Sequence, residues 1–177
     1  MNDANTLAVI SGRIDRNALL RQLDGTVPGI SVVYERSVLY PYAYFEASCT
    51  VPTISGEKSV SLNGLVDGIN GHGMTCDEFS TEATTSSSDK VLYSQIRVDE
   101  ALRIARRTLT HALSGKLKMI APFDVRLEAR GTVYKRFFIV RIGNDRLMVD
   151  SISGHMQPLR ARPNVASVGA SVRSGAA

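Results

Sequence analysis

The sequence predicts an α+β fold of two pseudo-repeated units, each one helix packed on a small antiparallel β-sheet, and three observations lead there. The first is a repeat: Leu65-Val66-Asp67-Gly68-Ile69-Asn70-Gly71-His72 returns 83 residues later (150 less 67) as Met148-Val149-Asp150-Ser151-Ile152-Ser153-Gly154-His155. Val, Asp, Ile, Gly and His are identical between the copies, and a methionine follows each, at Met74 and Met156. The second is that aromatic, strand-like segments precede both copies, Leu39–Phe45 and Val133–Ile139, which pair at an offset of 94 (133 less 39). The third is a helical stretch ahead of those strands in each half. Self-similarity of this kind points to two copies of one supersecondary unit.

In chain order, Leu7-Ala8-Val9-Ile10 reads as an N-terminal strand. Asp15 to Leu23 is a short helix with Leu19, Leu20 and Leu23 on one face, ended by Gly25 and Pro28. From Ala43 to Val51 a period of two puts Ala43, Phe45, Ala47, Cys49 and Val51 on the core side of a strand and Tyr42, Tyr44, Glu46, Ser48 and Thr50 on the other. Pro52 to Lys58 has the chemistry of a hairpin loop inserted in the first copy only. Thr75 to Lys90, rich in Ser and Thr, has little to bury and reads as a linker. The second helix has Asp99 as its cap, an apolar stripe of Leu102, Ala105, Leu109, Ala112 and Leu113, and Gly115 as its stop, with Lys116 and Lys118 beyond. These readings divide the chain into a first unit at 1–74, a linker at 75–90, a second unit at 91–162 and a flexible tail at 163–177.

Composition narrows the class. A hydrophobic content of 44% with 21% charged residues suits a soluble globule. With no apolar run long enough for a membrane helix and no secretory leader at the start, the expectation is a cytoplasmic protein without membrane insertion, its two cysteines reduced. The net charge of +4 conceals a division: residues 1–88 hold 5 Lys and Arg against 10 Asp and Glu, and residues 89–177 hold 16 against 7. Such halves suit contact between the units, with a second copy, or with an acidic partner.

The second half resembles a known family. The run Val98-Asp99-Glu100-Ala101-Leu102-Arg103-Ile104-Ala105, then strands, then Val149-Asp150-Ser151-Ile152-Ser153-Gly154, is similar to the PepSY-type domain, over residues 98–156 and more weakly over 15–74. That resemblance implies a helix on an antiparallel sheet closing on a V-D-x-x-[ST]-G-like turn, and non-catalytic binding.

The residues that carry chemistry favour binding over catalysis. Asp67 and Asp150 are spaced as turn acceptors ahead of Gly71 and Gly154, so the structural reading, an Asx-type turn, outweighs a catalytic carboxylate pair. His72, Cys76 and His155 lack the paired spacing of a metal site, and neither a nucleophile elbow nor a phosphate loop is present, so no cofactor, metal or enzyme activity is expected. The best candidate surface is the Tyr40, Tyr42 and Tyr44 stripe, since tyrosine offers large contact area at small entropic loss. Arg103, Arg106, Arg107 and Arg136 add a basic surface. The expected function is that of an accessory or adaptor protein binding another protein, or self-associating, through these residues. The rival is a nucleic-acid-associated protein using the Arg-rich half.

Overall fold

Two strands of uncommon length organise the molecule. The computed structural model describes residues 6–24, 31–53, 56–85, 89–117 and 124–159. The expected tail at 163–177, Gly25, Pro28 and Lys118 lie outside them. In chain order the elements are β1 (Thr6–Ile10), α1 (Arg16–Asp24), β2 (Val32–Thr53), β3 (Gly56–Asp67), β4 (Gly73–Cys76), β5 (Thr81–Thr85), β6 (Lys90–Val91), α2 (Val98–Leu117), β7 (Arg126–Ile142), β8 (Asp145–Asp150) and β9 (Met156–Pro158). At 22 and 17 residues, β2 and β7 are about four and about three times the usual strand of roughly 5–6. They pair antiparallel from Val32 opposite Ile142 to Ser48 opposite Arg126.

That ladder corrects the expected architecture. The described residues form mostly sheet, one mixed sheet of nine strands carrying two helices, and not two helix-on-sheet units. The physical reason is that a strand has two hydrogen-bonding edges. β2 gives one edge to β3 and the other to β7, while β7 gives its second edge to β8 and β1, so both halves hang from one backbone ladder. The sheet runs β4-β3-β2-β7-β1-β5, with β6 beside β2 and β9 beside β8. The segment 75–90, expected as a linker, supplies the end of β4, all of β5 and the first residue of β6.

Within this one sheet the halves correspond residue by residue, but at an offset of 95 (137 less 42) rather than the 94 read from the aromatic segments. Tyr42 pairs with Asp67 as Phe137 pairs with Asp150. Leu39 meets Val91 in parallel as Tyr134 meets Val9. Even the bulges match: Glu35 is the extra residue on β2 and Arg130 the extra residue on β7. The relation is a half-turn about an axis through the cross-strand pair Tyr40 and Lys135. The inserted residues of the first copy are not mainly a loop; they lengthen the β2–β3 hairpin, whose pairing runs out to Thr53 opposite Gly56.

Each helix buries its apolar stripe mainly against strands of the opposite half, α1 resting also on Val32 and Tyr34 of β2. Leu19 and Leu23 of α1 are buried against Phe138, Val140 and Val149, whereas Ala101, Ile104, Ala105, Leu109 and Leu113 of α2 are buried against Phe45, Ala47, Cys49, Val51 and Val66. Burying a Leu, Val or Phe side chain is worth about 1.5–3 kcal/mol, so these two interfaces hold the halves together strongly. Asp15 caps α1 by accepting from the Ala18 amide at 2.7 Å. In α2 the cap position is Arg97, whose carbonyl accepts from Ala101 at 2.9 Å; Asp99 sits inside the first turn and pairs with Arg97. The helix passes through Gly115 to Leu117. A glycine so near the end costs at most about 1 kcal/mol, less than the burial of Leu113 two residues earlier returns. Leu102 is 38% exposed, off the buried stripe that Ile104 completes.

The crossing is pinned where each β-to-α loop meets the opposite turn. Ile14 donates its amide to the Ser151 carbonyl at 3.0 Å, and Ile96 donates to the Gly68 carbonyl at 3.1 Å. Small residues are required at both junctions: Gly12 faces Ser151, and Ser94 faces Gly68. A Cβ on Gly12 would stand 3.0 Å from the Ser151 Cβ. Gly12→Ser is therefore expected to cost about 1–3 kcal/mol by overpacking. Adding Ser151→Gly, which reproduces the Ser94 and Gly68 pairing, should recover part of that loss in urea denaturation; a neutral Gly12→Ser would refute this account of the junction.

Candidate functional site

The alternation of β2 decides what its open side carries. Phe45, Ala47, Cys49 and Val51 are buried beneath α2, so Tyr40, Tyr42 and Tyr44 project from the opposite side of the sheet. All three are half-buried rather than fully exposed. The Tyr40 and Tyr42 rings lie 5.4 Å apart, Tyr40 meets Phe137 edge-on at 6.1 Å, and Tyr44 packs on Phe79 at 4.9 Å. Tyr42 and Tyr44 also lie against the cluster of Ile10, Leu65 and Val133. The stripe is thus partly a core element and partly surface.

One of its phenols, that of Tyr40, is tied into the first of the repeated turns. Asp67 accepts at Oδ1 from the amides of Ile69 (2.8 Å) and Asn70 (2.9 Å) and from the Tyr40 hydroxyl (2.9 Å). Asp150 accepts from the Ile152 amide (2.9 Å) and the Ser153 hydroxyl (2.7 Å), and it pairs with Lys135 Nζ at 2.7 Å. Lys135 therefore stands where the first turn uses Tyr40, and its ammonium also lies over the Phe137 ring at 5.3 Å. Gly71 and Gly154 close the turns at φ +69° and +72°, a left-handed conformation in which a side chain is strained. Their amides return to the carbonyls of Asp67 and Asp150 at 3.0 and 2.8 Å.

These contacts set the charges. Burial works to raise the carboxyl pKa of Asp67, but the amides of Asn70 and Ile69 and the Tyr40 hydroxyl outweigh it, and the group ends below its ordinary value. Asp150 is likewise lowered, burial being overcome by Lys135, Ser153 and the Ile152 amide. Burial, with the field of Asp67, pushes Tyr42 up to about 12. Tyr44 is pushed up to about 12 by burial and by its hydrogen bond to Glu46 at 3.0 Å. Tyr40 is raised by burial and by donation to Asp67. The phenols are neutral donors and the aspartates are charged acceptors, a constellation that holds a turn in place.

Beside the stripe runs an open groove of about 650 Å³. Tyr44, Phe79 and Cys76 form its apolar part, and Glu46, Asp77, Glu78 and Glu128 line it against Arg130. Arg130 bridges Glu46 at 2.6 Å and Glu128 at 3.0 Å. Donation by Arg130, then by Tyr44, holds Glu46 below its usual value. Burial and the charge of Asp77 push the Cys76 thiol up to about 11, away from nucleophilic character.

The other expected site residues fall elsewhere. Arg103, Arg106 and Arg107 are exposed on α2, on the far side of the sheet from the tyrosines, and Arg103 lies 3.6 Å from Glu100. Arg136 is turned inward, 3.0 Å from Glu82 and 3.5 Å from Asp89, so it neutralises this chain's own acids. His72 and His155 are exposed at matching turn ends. Among the described residues no group of three His, Cys, Asp or Glu side chains is disposed to hold a metal ion, and no helix is long and apolar enough to cross a membrane. Phe79 and Glu46 were not singled out from the sequence as binding residues, and Arg130 and Lys135 counted there only among the basic residues of the second half. An offset of 95 between the halves would have placed Lys135 at the position of Tyr40. Phe79 lies in the stretch read as linker and carries no periodic signal.

In comparisons with known proteins, the chain matches no family model, no curated protein and no solved structure.

The lowered aspartates make a prediction about acid. A carboxylate whose folded pKa lies below its unfolded value of about 3.9 contributes stability that is present above that value and lost as pH falls through the folded pKa. Urea stability should therefore be level near neutrality and fall below about pH 4. Asp67→Asn, which cannot accept from Tyr40 and both amides as a carboxylate does, should cost about 1.5–3 kcal/mol at pH 7 and flatten the acid limb. An acid limb unchanged in both Asp67→Asn and Asp150→Asn would contradict the assignment.

Proposed function

We propose that this chain is a non-catalytic accessory protein that binds another protein on the helix-free face of its sheet, with Tyr40, Tyr42 and Tyr44 as the aromatic floor. The observation that carries this reading is the groove beside Tyr44 and Phe79, an aromatic patch with an acidic rim. Protein interfaces favour such a patch: rigid aromatic anchors at the centre and charge around them. The commitment of Asp67, Asp150 and the Tyr40 hydroxyl to turn geometry supports binding over catalysis, as does the raised thiol of Cys76. The PepSY-type resemblance of the second half is in keeping with it.

The aromatic face and the α2 arginines lie on opposite sides of the sheet, so one flat partner does not span both. We place binding on the tyrosine side. The acidic rim favours a partner with basic groups there, in place of the acidic partner that composition suggested. Nucleic acid fits the groove beside Tyr44 poorly, since acids dominate it and Arg130, Lys135, Arg136, Arg141 and Arg146 are each matched to an Asp or Glu of the chain.

The tagged chain should capture a defined protein from its source cell, with nuclease making no difference. Asp77→Lys with Glu78→Lys should lower recovery at least ~10-fold while stability stays within about 0.5 kcal/mol, since both positions are exposed. Arg106→Glu with Arg107→Glu should leave recovery unchanged. Recovery of nucleic acid only, sensitive to the arginine pair, would overturn the proposal.

A further inference from the structure

The helix-free face carries a second groove, and it answers the first in position and in charge. About 350 Å³ in volume, it is lined by Arg36, Val38, Lys90, Leu92, Ile139, Arg146 and Leu159. Ile139 lies 95 residues after Tyr44 (139 less 44), while Arg146 and Leu159 lie 83 after Asn63 and Cys76 (146 less 63, 159 less 76), all three of the first groove. The half-turn that relates the two arms of the sheet therefore carries part of the first groove onto the second, while Arg36, Val38, Lys90 and Leu92 of the second have no counterpart lining the first. Their charges are opposed: four acids and one arginine line the first, while two arginines and a lysine line the second without an acid. The inversion extends to the bulges. Arg130 with Glu46 at one end becomes Glu35 with Arg141, and with Arg146, at the other.

A face that is acidic at one end and basic at the corresponding place on the other is complementary to itself. Laid face to face with a second copy, about a two-fold axis that runs between the two sheets, parallel to them and perpendicular to the line joining the grooves, both acid-to-base contacts form together. Between them, Tyr40, Tyr42 and Phe137 of one copy come opposite the same residues of the other, an aromatic centre within a charged rim. A partner of one charge would satisfy one groove and oppose the other.

We infer that the partner on this face is a second copy of the chain, joined in a closed two-fold dimer with each acidic groove over the other copy's basic groove. This rests on the reading of the helix-free face as a docking surface and names what docks there.

Glu78 and Lys90 make the test clean, being exposed, one in each groove, and in no ion pair among the described residues. The full chain is followed by sedimentation velocity from ~1 to ~200 µM at low and at high salt, alongside Glu78→Arg and Lys90→Glu. The expected result is a wild-type dimer at low salt that weakens at high salt, and at least ~10-fold weaker association in each variant. An equimolar mixture of the two variants should regain wild-type affinity, because Arg at 78 of one then meets Glu at 90 of the other and the native pair faces it across the axis. A wild-type chain monomeric throughout, a dimer indifferent to both reversals, or growth beyond two copies would each overturn the inference. If the chain is monomeric yet still captures a different protein that Asp77→Lys with Glu78→Lys releases, only the second copy is refuted; if it captures nothing, the docking surface falls with it.

Discussion

The continuous antiparallel ladder between β2 and β7 is the constraint on which the rest of the structure depends. Because it runs from Val32 opposite Ile142 to Ser48 opposite Arg126, it places the halves in a fixed relation and centres the correspondence on Tyr40 and Lys135. Backbone pairing of this length leaves each half without a private sheet, so each helix finds its apolar partner across the axis. Leu19 and Leu23 go to Phe138 and Val140; Leu109 and Leu113 go to Phe45 and Cys49. The contacts between halves are then long-range in sequence, a topology that folds slowly because loop closure precedes its reward.

The same crossing explains the charge distribution. Acids of the first half meet bases of the second across the ladder: Glu46 with Arg130, Glu82 with Arg136, and Glu35 with Arg141 and Arg146. Much of the division between an acidic and a basic half is therefore consumed inside the molecule. Exposed pairs of this kind add little stability each, a median of about 0–1 kcal/mol, but they oppose a shifted register by setting like charges against one another. On the helix-free face, Asp77 and Glu78 in one groove and Arg36 and Lys90 in the other are in no ion pair among the described residues, which makes that face bipolar.

The turns show how one backbone solution tolerates different chemistry. Asp67 and Asp150 accept the same turn amides, yet Tyr40 and Asn70 complete the first turn while Lys135 and Ser153 complete the second. A neutral phenol and an ammonium are alternative donors to one carboxylate, and a buried carboxylate without such a donor would be costly.

Much of this was legible in the residues. Period-two alternation marked Phe45, Ala47, Cys49 and Val51 as core and the tyrosines as their opposite, and the Val-Asp repeat marked two turns of one geometry, because both are local rules of strand and turn. The offset of 95, the passage of each helix to the other half and the placing of Phe79 against Tyr44 were not legible. A one-residue change of alignment reverses which side chains oppose each other, and nothing local specifies it. Sequence by itself determined that helices, strands and carboxylate turns occur twice, since propensity and hydrogen-bond chemistry act over a few residues. Only the tertiary structure decided that they build one sheet with crossed helices and a bipolar open face, because that choice rests on which distant strand edges and apolar stripes bury each other best.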